Sequence, residues 1–424
     1  MIPASLVLNA GSSSLKFQVF EPEDIFEPEG SFEPGETFGP GEGGAPRRLY
    51  RGLFEGLGGA AHMIVRDHTG AVVADERFGA GDVGRETALG HEEALLHVAA
   101  WLRDHARGHR LAAVGHRVVH GGADYAAPVR VDDAVLAALE RLVPLAPLHQ
   151  PHNLAPIRIV RRRFPDLPQV ACFDTAFHRG QPEIAQRFAL PAEVTDRGVR
   201  RYGFHGLSYA FVAERLGACA PALAAGRVVV AHLGSGASLC ALAGGRSVAA
   251  TMGFSALDGL PMGTRCGSLD PGVVFYLLRE MHLDADEAER LLYTRSGLLG
   301  VSGLSGDMRT LRARAAEDRR ARTAIDLFVY RIGRELGSLV AALGGIDGLV
   351  FTGGIGENDA ATRAEVLRGA AWTGFRLDEA ANDAGGPRIT RGPGPQAFVI
   401  PTDEEAMIAR GMRAVLAPAS RPAL

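Results

Sequence analysis

"LVLNAGSSSLKFQVF" (residues 6–20) and "VVAHLGSGAS" (229–238) carry the reading of the fold. Each starts as an apolar run with strand character, breaks at a polar residue and a glycine (Asn9 and Gly11; His232 and Gly234), and continues through serine and small residues (Ser12; Ser235). In the first, the apolar run resumes as "LKFQVF", so strand turns back into strand. Glycine and hydroxyls beside Lys16 point to phosphate. A P-loop would need GxxxxGK[ST] between a strand and a helix, and that spacing is missing. The same hairpin recurring in the second half of the chain reads as a duplication, one phosphate hairpin per domain.

Composition narrows the possibilities. The chain has 424 residues, 46% hydrophobic, enough for two domains with separate cores. Its formal net charge is −4, so there is no basic excess to hold nucleic acid. No apolar run reaches the roughly 20 residues of a membrane span, and no basic segment precedes the first apolar run as in a secretory signal. The four cysteines (Cys172, Cys219, Cys240, Cys266) form no CxxC pair and read as reduced thiols of a cytoplasmic protein. Lys16 is the single lysine among 45 basic residues. Its survival beside the Gly-Ser turn points to a place for a compact ammonium where arginine would impose a planar fork.

Between 21 and 47 the chain repeats in hexads, with Phe20, Phe26, Phe32 and Phe38 and a proline two residues after each. Proline and glycine at this density join neither a ladder nor a helix, and the segment is expected to be an extended or disordered surface loop. Beyond it, strands alternate with amphipathic helices, as in α/β proteins. "AAVGHRVVHGG" reads as a strand entering a glycine loop, "HEEALLHVAAWLRDHA" as a helix, and "PQVACFDTAF" as a strand ending at Asp174. "GRVVVAHLGSGASLCAL" reads as a hairpin, "DGLVFTGGIGEN" as a strand ending in a glycine loop, and "DAATRAEVLRGAAW" as a helix. The last glycine run lacks GxGxxG and a paired acid, which excludes a Rossmann site.

The paired hairpins resemble those of the actin and hexokinase-like ATPases. The fold class expected is therefore α/β, with two duplicated domains and a cleft between them that closes on ATP. Further motifs sharpen the resemblance: "GHRVVHGG" (115–122), "PLHQPHN" (147–153), "FDTAFH" (173–178), "RRYGFHG" (200–206), "PMGTRCGSLDPG" (261–272), "GDMR" (306–309), "GGIGEN" (353–358) and "PTDEEAMIA" (401–409). Together they resemble the acetate/propionate kinase family over nearly the whole chain.

That resemblance implies Mg²⁺-dependent, reversible transfer of the ATP γ-phosphoryl to a carboxylate, giving an acyl phosphate and ADP. The nucleophile is already an anion, so the task is positioning and charge neutralisation rather than strong base catalysis. By matching positions, Asp174, His205 and Arg265 are catalytic, with Asp174 orienting an arginine or a metal-bound water. Arg117 takes the carboxylate. Val119, Leu148, Phe204 and Ala256 line the acyl pocket. Asn9 and Glu404 hold Mg²⁺, or Mn²⁺ in its place. Ser12, Lys16, His232, Leu233, Gly234, Ser235 and Gly236 face the phosphates of ATP or ADP. Asp307, Met308, Arg309, Gly354, Ile355, Gly356, Glu357 and Asn358 hold ribose and adenine. A homodimer is implied, with one domain from 1–174 plus 405–424 and the other from 175–404.

Departures from the family pattern are Ser235 for Asn, Ser268 for Asp, Leu207 and Tyr209 for Thr and His, Asp403 for Asn, and Ala256 for Pro. Leu207 and Tyr209 read as packing changes and Asp403 as a helix cap. Ala256 widens the acyl wall, so propionate use beside acetate is expected. A propionate or butyrate kinase would share every motif. A sugar kinase would need Asp174 as base for a hydroxyl, against which Arg117 and Arg265 argue for an anionic acceptor. A nucleotide sensor without turnover would not need the intact Asn9, Asp174, His205, Arg265 and Glu404.

Overall fold

The computed structural model describes residues 2–21, 47–79, 89–106 and 108–417. The hexads at 22–46, expected to form a surface loop, lie outside the described residues. The chain forms two compact units, Met1–Ala176 with Asp403–Leu424, and Phe177–Thr402. The crossings fall at 176/177 and 402/403, where the sequence suggested 174/175 and 404/405. The second crossing comes early because Asp403 belongs to the last helix. Its carboxylate accepts from the Ala406 N–H, and Arg48 of the first unit pairs with it. The helix cap expected of Asp403 is therefore present.

The first unit holds an eight-stranded sheet, in the order β5-β4-β3-β2-β1-β6-β8-β7. The strands are β1 (Ile2–Ala10), β2 (Leu15–Phe20), β3 (Arg48–Glu55), β4 (Ala61–Asp67), β5 (Val72–Phe78), β6 (His109–Val118), β7 (Val129–Arg130) and β8 (Gln169–Phe173). β1 and β2 form the antiparallel hairpin, with Asn9 opposite Lys16. β6 runs parallel to β1, and β8 parallel to β6. Strand alternation sorts the faces. Leu6, Leu8, Leu15, Phe17, Val19 and Val114 pack under helices α1 (His91–His105) and α2 (Gln150–Arg163). The opposite face carries Asn9, Lys16, Gly115 and Arg117, and there the C-terminal helix (Glu404–Leu416) lies on the sheet. Gly115 makes that seat possible: a Cβ there would stand 2.3 Å from Met412 Sδ.

The second unit holds a five-stranded sheet, β11-β10-β9-β12-β13. Its strands are β9 (Arg227–Leu233), β10 (Ala237–Ala243), β11 (Arg246–Ala250), β12 (Gly348–Thr352) and β13 (Gln396–Val399). The hairpin β9/β10 is antiparallel, with Leu233 opposite Ala237; β12 and β13 add parallel strands. α3 (Gly206–Cys219) covers the sheet through Tyr209, Val212 and Leu216. α4 (Pro271–Arg279) and α5 (Met308–Arg314) precede the long α6 (Arg319–Leu343). α6 buries Ala321, Ala324, Ile325, Phe328, Ile332, Leu336 and Leu339, the stripe of a helix with one core face. Read in chain order, each sheet has its third, second and first strands antiparallel, then two parallel strands after the first. The duplication suggested by the two hairpins extends to the sheet topology.

One local expectation is corrected. "GGIGEN" is not a loop: Gly353–Asn358 form a short helix, α7, followed by α8 (Ala360–Gly369). Gly353, at φ +77°, turns the chain sharply out of β12, and Asn358 Nδ2 donates to Gly354 O at 2.9 Å. Among the described residues no helix is long and apolar enough to cross a membrane. All four cysteines are free.

Candidate active site

In the first unit, Asn9, Arg117 and Asp174 stand at the C-terminal ends of the adjacent strands β1, β6 and β8, where open α/β sheets place their ligands. Arg117 is the hub. Its Nε donates to Asp174 Oδ1 at 2.9 Å and its Nη2 to Oδ2 at 2.5 Å, a two-pronged grip on a side chain only 1% exposed. Its Nη1 donates to Asn9 Oδ1 at 3.3 Å, and Glu404 Oε2 lies 3.6 Å from Nε. Burial works against the guanidinium charge, but Asp174 and Glu404 outweigh it and raise the Arg117 pKa, so the group stays cationic. Glu405 was not singled out from sequence. Burial, with Glu404 and Asp403 nearby, raises its pKa, while Lys16 opposes the rise. The single lysine thus belongs to the same charged cluster, between the hairpin and the C-terminal helix.

α2 braces this corner. The β1–β6 ladder ends at Leu8–His116, and beyond it the strands part. Asn153 spans the gap: its Nδ2 donates to Ala10 O at 2.7 Å and its Oδ1 accepts from Val119 N at 2.8 Å. Gln150, fully buried, accepts from His120 N and donates to His120 O. Thr175 Oγ1 accepts from Gly121 N. Ser12 lies exposed in the hairpin turn, and His91 Nε2 contacts Gly11 O at 2.7 Å. Val119 is buried, whereas Leu148 is 40% exposed.

The second unit gathers its own set. His205, at φ +57°, caps α3 in the left-handed region that few non-glycine residues occupy. Its ring stacks on His232 with centroids 4.2 Å apart, and its Nδ1 meets Ser238 Oγ at 2.8 Å. His232 Nδ1 meets Ser208 Oγ at 2.8 Å. A Cβ on Gly236 would lie 3.2 Å from His205 Nε2 and 3.9 Å from Arg265 Nη1, so both side chains border one small space over the hairpin. Arg265 Nη1 donates to Ala256 O at 3.1 Å. Gly263 N donates to Ser235 O, and the Gly354 backbone N would lie 3.8 Å from a Cβ on Gly234. The hairpin turn and the start of α7 therefore meet.

Residues 4–410 match the model of the Acetokinase family. The chain belongs to that family. It is 51% identical over 409 residues to an acetate kinase of Rhodopseudomonas palustris, covering 96% of each chain. It is 50% identical over 412 residues to one of Methylocella silvestris, covering 97% of each. Among solved structures, it resembles a propionate kinase of Francisella tularensis with TM-score 0.85 and 32% identity, over 98% of this chain and 100% of that one. It resembles an acetate kinase of Porphyromonas gingivalis with TM-score 0.80 and 33% identity, again over 98% and 100%.

Against the acetokinase pattern, the remaining positions divide by how they are used. The side chains of Leu233 and Met308 are buried. Asp307 caps α5 and is held by Arg309, the main reason its pKa falls to about 2. Glu357 Oε1 accepts from Gly353 N and Thr402 N, which ties the entry of α7 to the chain end of this unit. Ile355 is half-buried and Gly356 buried. Phe204 and Ala256 are buried, and His178 Nε2 holds Phe204 O at 2.9 Å. Ser268, read from the sequence as a departure from a common aspartate, donates to Asp258 Oδ1 at 2.8 Å. Asp258 in turn pairs with Arg201 of the "RRYGFHG" loop at 3.2 Å. An acid at 268 would set two carboxylates against each other.

Of the paired changes in α3, Leu207 is buried packing as expected. Tyr209 is more than packing, because its hydroxyl meets Ser238 Oγ at 2.5 Å, the same oxygen that holds His205. Ser238 lies in the quoted hairpin 229–238, and Gln150 and Asn153 in "PLHQPHN", but the motifs assign none of them a role. A polar residue in a motif says only that a partner exists.

Proposed function

We propose that this chain is an acetate kinase, which transfers the γ-phosphoryl of ATP to acetate, reversibly, to give acetyl phosphate and ADP. The observation that carries the reading is Arg117: a permanent cation at the strand ends, gripped by a buried Asp174 and flanked by Asn9 and Glu404. Such a group suits an anionic acceptor, and a sugar hydroxyl has no use for it. In this reading Asp174 holds the guanidinium in place and takes no proton. Arg265 neutralises charge on the transferring phosphoryl, His205 gives it a hydrogen bond, and the β9/β10 turn with the start of α7 holds the nucleotide.

Asn9 and Glu404 offer hard oxygen donors of the kind Mg²⁺ takes beside phosphate oxygens and water. Among the described residues no group of three or more His, Cys, Asp or Glu could hold a metal ion by itself. When bound, the ion would screen the phosphate charges. We further assign the protein to the cytoplasm as a homodimer. Phe275 and Tyr276 on α4 and the nearby Met281 are each more than half exposed, an apolar surface suited to a second copy.

A second acceptor is favoured by one position. Ala256 replaces a family proline, and an extra methylene in such a pocket is worth roughly 1–3 kcal/mol. Propionate is therefore expected within a hundredfold of acetate in kcat/KM. The test is hydroxylamine trapping: purified protein, Mg-ATP and acetate, propionate, butyrate or glycerol in turn. Hydroxamate equal to ADP with acetate supports the reading. ADP with glycerol alone, or no turnover with any carboxylate, refutes it.

A further inference from the structure

We propose that Tyr209, acting through Ser238, fixes His205 as the neutral tautomer with its proton on Nε2, so that the ring meets phosphoryl oxygens as a hydrogen-bond donor. The inference rests on the phosphoryl-transfer reading for its purpose, though not for its geometry. It assigns a positioning role to a side chain that departs from the family pattern.

The chain of contacts is Tyr209 Oη to Ser238 Oγ at 2.5 Å, then Ser238 Oγ to His205 Nδ1 at 2.8 Å. Counting protons decides its direction. A serine hydroxyl has one proton to give and can accept more than one, and a phenol also has one to give. Tyr209 is completely buried, and among the described residues its hydroxyl has no hydrogen-bond partner except Ser238. Burial pushes the phenol pKa well above its ordinary range, so the proton stays on. The phenol proton must therefore go to Ser238 Oγ or be left unpaired in the core. With that bond made, the single Ser238 proton is free to point at His205 Nδ1. Nδ1 then accepts, and the ring proton sits on Nε2.

The reverse polarity either has Nδ1–H donate to Ser238 and Ser238 donate to Tyr209, stranding the phenol proton, or has Ser238 accept from both neighbours, stranding its own. An imidazolium would likewise leave one of those two protons unpaired. Its surroundings oppose a second cation as well, since Arg265 Nη1 borders the space at Gly236 onto which His205 Nε2 opens. The other titratable neighbours include His232, stacked on His205 and held through its own Nδ1 by Ser208, His178, edge-on to Tyr209 at 5.7 Å, and the buried thiol of Cys240, which also acts to keep the phenol protonated. The fixed tautomer thus presents an N–H at the face that borders Gly236.

The experiment is ¹⁵N NMR of histidine-labelled whole protein, with the His205 signals assigned by their loss in His205→Asn. The wild type is expected to show Nε2 protonated and Nδ1 bare. Tyr209→Phe keeps the buried ring and removes only the donor. It is expected to bring in the Nδ1–H form and to lower kcat about tenfold, with KM for acetate and for Mg-ATP within about twofold. Ser238→Ala, the second variant, is expected to mix the tautomers by removing the partner of Nδ1. A wild-type ring protonated on Nδ1, or a Tyr209→Phe spectrum unchanged from wild type, would overturn the proposal. If the expected spectra appear but the protein does not phosphorylate acetate, the tautomer assignment stands and the functional reading falls.

Discussion

Gly236→Ala is the sharpest perturbation of the second hairpin. The φ of Gly236 lies outside the left-handed range, so alanine fits the backbone, and entropy lost from the unfolded chain should offset part of any crowding. The new methyl would stand 3.2 Å from His205 Nε2, 3.5 Å from Cε1 and 3.9 Å from Arg265 Nη1. A phosphoryl oxygen bonded to both donors needs that volume, because each hydrogen bond calls for roughly 2.7–3.1 Å between heavy atoms. Losing one such donor costs on the order of 10²–10³ in kcat, or about 3 kcal/mol of transition-state stabilisation. The methyl blocks access to the donors without removing them, so a loss of about a hundredfold is expected, with the melting temperature moved by no more than a few degrees. Coupled ADP release at saturating substrates, with thermal melts of both proteins, provides the measurement. A folded Gly236→Ala enzyme retaining kcat within about threefold would refute the placement of the transferring group over this glycine.

Asn153→Ala should cost about 2–4 kcal/mol in urea melts and lower kcat/KM for acetate, since it strands Ala10 O and Val119 N, both hydrogen-bonded to its side chain. Asn153→Asp should keep the Val119 bond and lose the other, giving an intermediate value. Stability should fall as the medium is acidified from pH 6.5 towards 4. Burial depresses His116 and His178 to about 4, so the unfolded chain takes up protons that the folded one refuses. Each histidine should contribute up to about 3 kcal/mol of that loss, and His116→Gln should reduce the slope of unfolding free energy against pH by close to 1.4 kcal/mol per unit. Replacing residues 22–46 by a two-residue turn should leave kcat/KM for acetate within about threefold of wild type. The flanks already meet: Glu21 N donates to Arg47 O at 3.0 Å, and the two side chains pair at 3.0 Å. A deletion that abolished turnover would show that the hexads serve the reaction.

The fold was legible where local chemistry repeats. Two hairpins with the same order of strand, polar residue, glycine and serine pointed to a duplication, and the paired sheet orders carry it through both units. Asp174 at a strand end and Asp403 as a cap were readable because the backbone step that places each lies next to it in sequence. The short helix at Gly353–Asn358 was not, because glycines give no helical signal; it forms where Glu357 and Asn358 satisfy backbone groups that a loop would leave to water. The brace from Asn153 to β1 and the pairing of Arg48 with Asp403 join residues far apart in sequence. No local pattern encodes which distant carbonyl or carboxylate a polar side chain will find.

The two hairpins have diverged in what their positions supply. Asn9 is the last residue but one of the first strand of one hairpin, and His232 holds the corresponding place in the other. Across the ladder from Asn9 stands Lys16, and across from His232 stands Ser238. In the first unit this pair contributes a carboxamide oxygen and an ammonium to a cluster with Arg117, Glu404 and Glu405. In the second, the same cross-strand positions contribute an imidazole and a hydroxyl, and both serve His205: one stacks on it, the other holds its Nδ1. The ladder itself fixes the spacing of each pair, at about 5 Å between opposed residues. A register shift of one residue in either hairpin would turn both members to the opposite face.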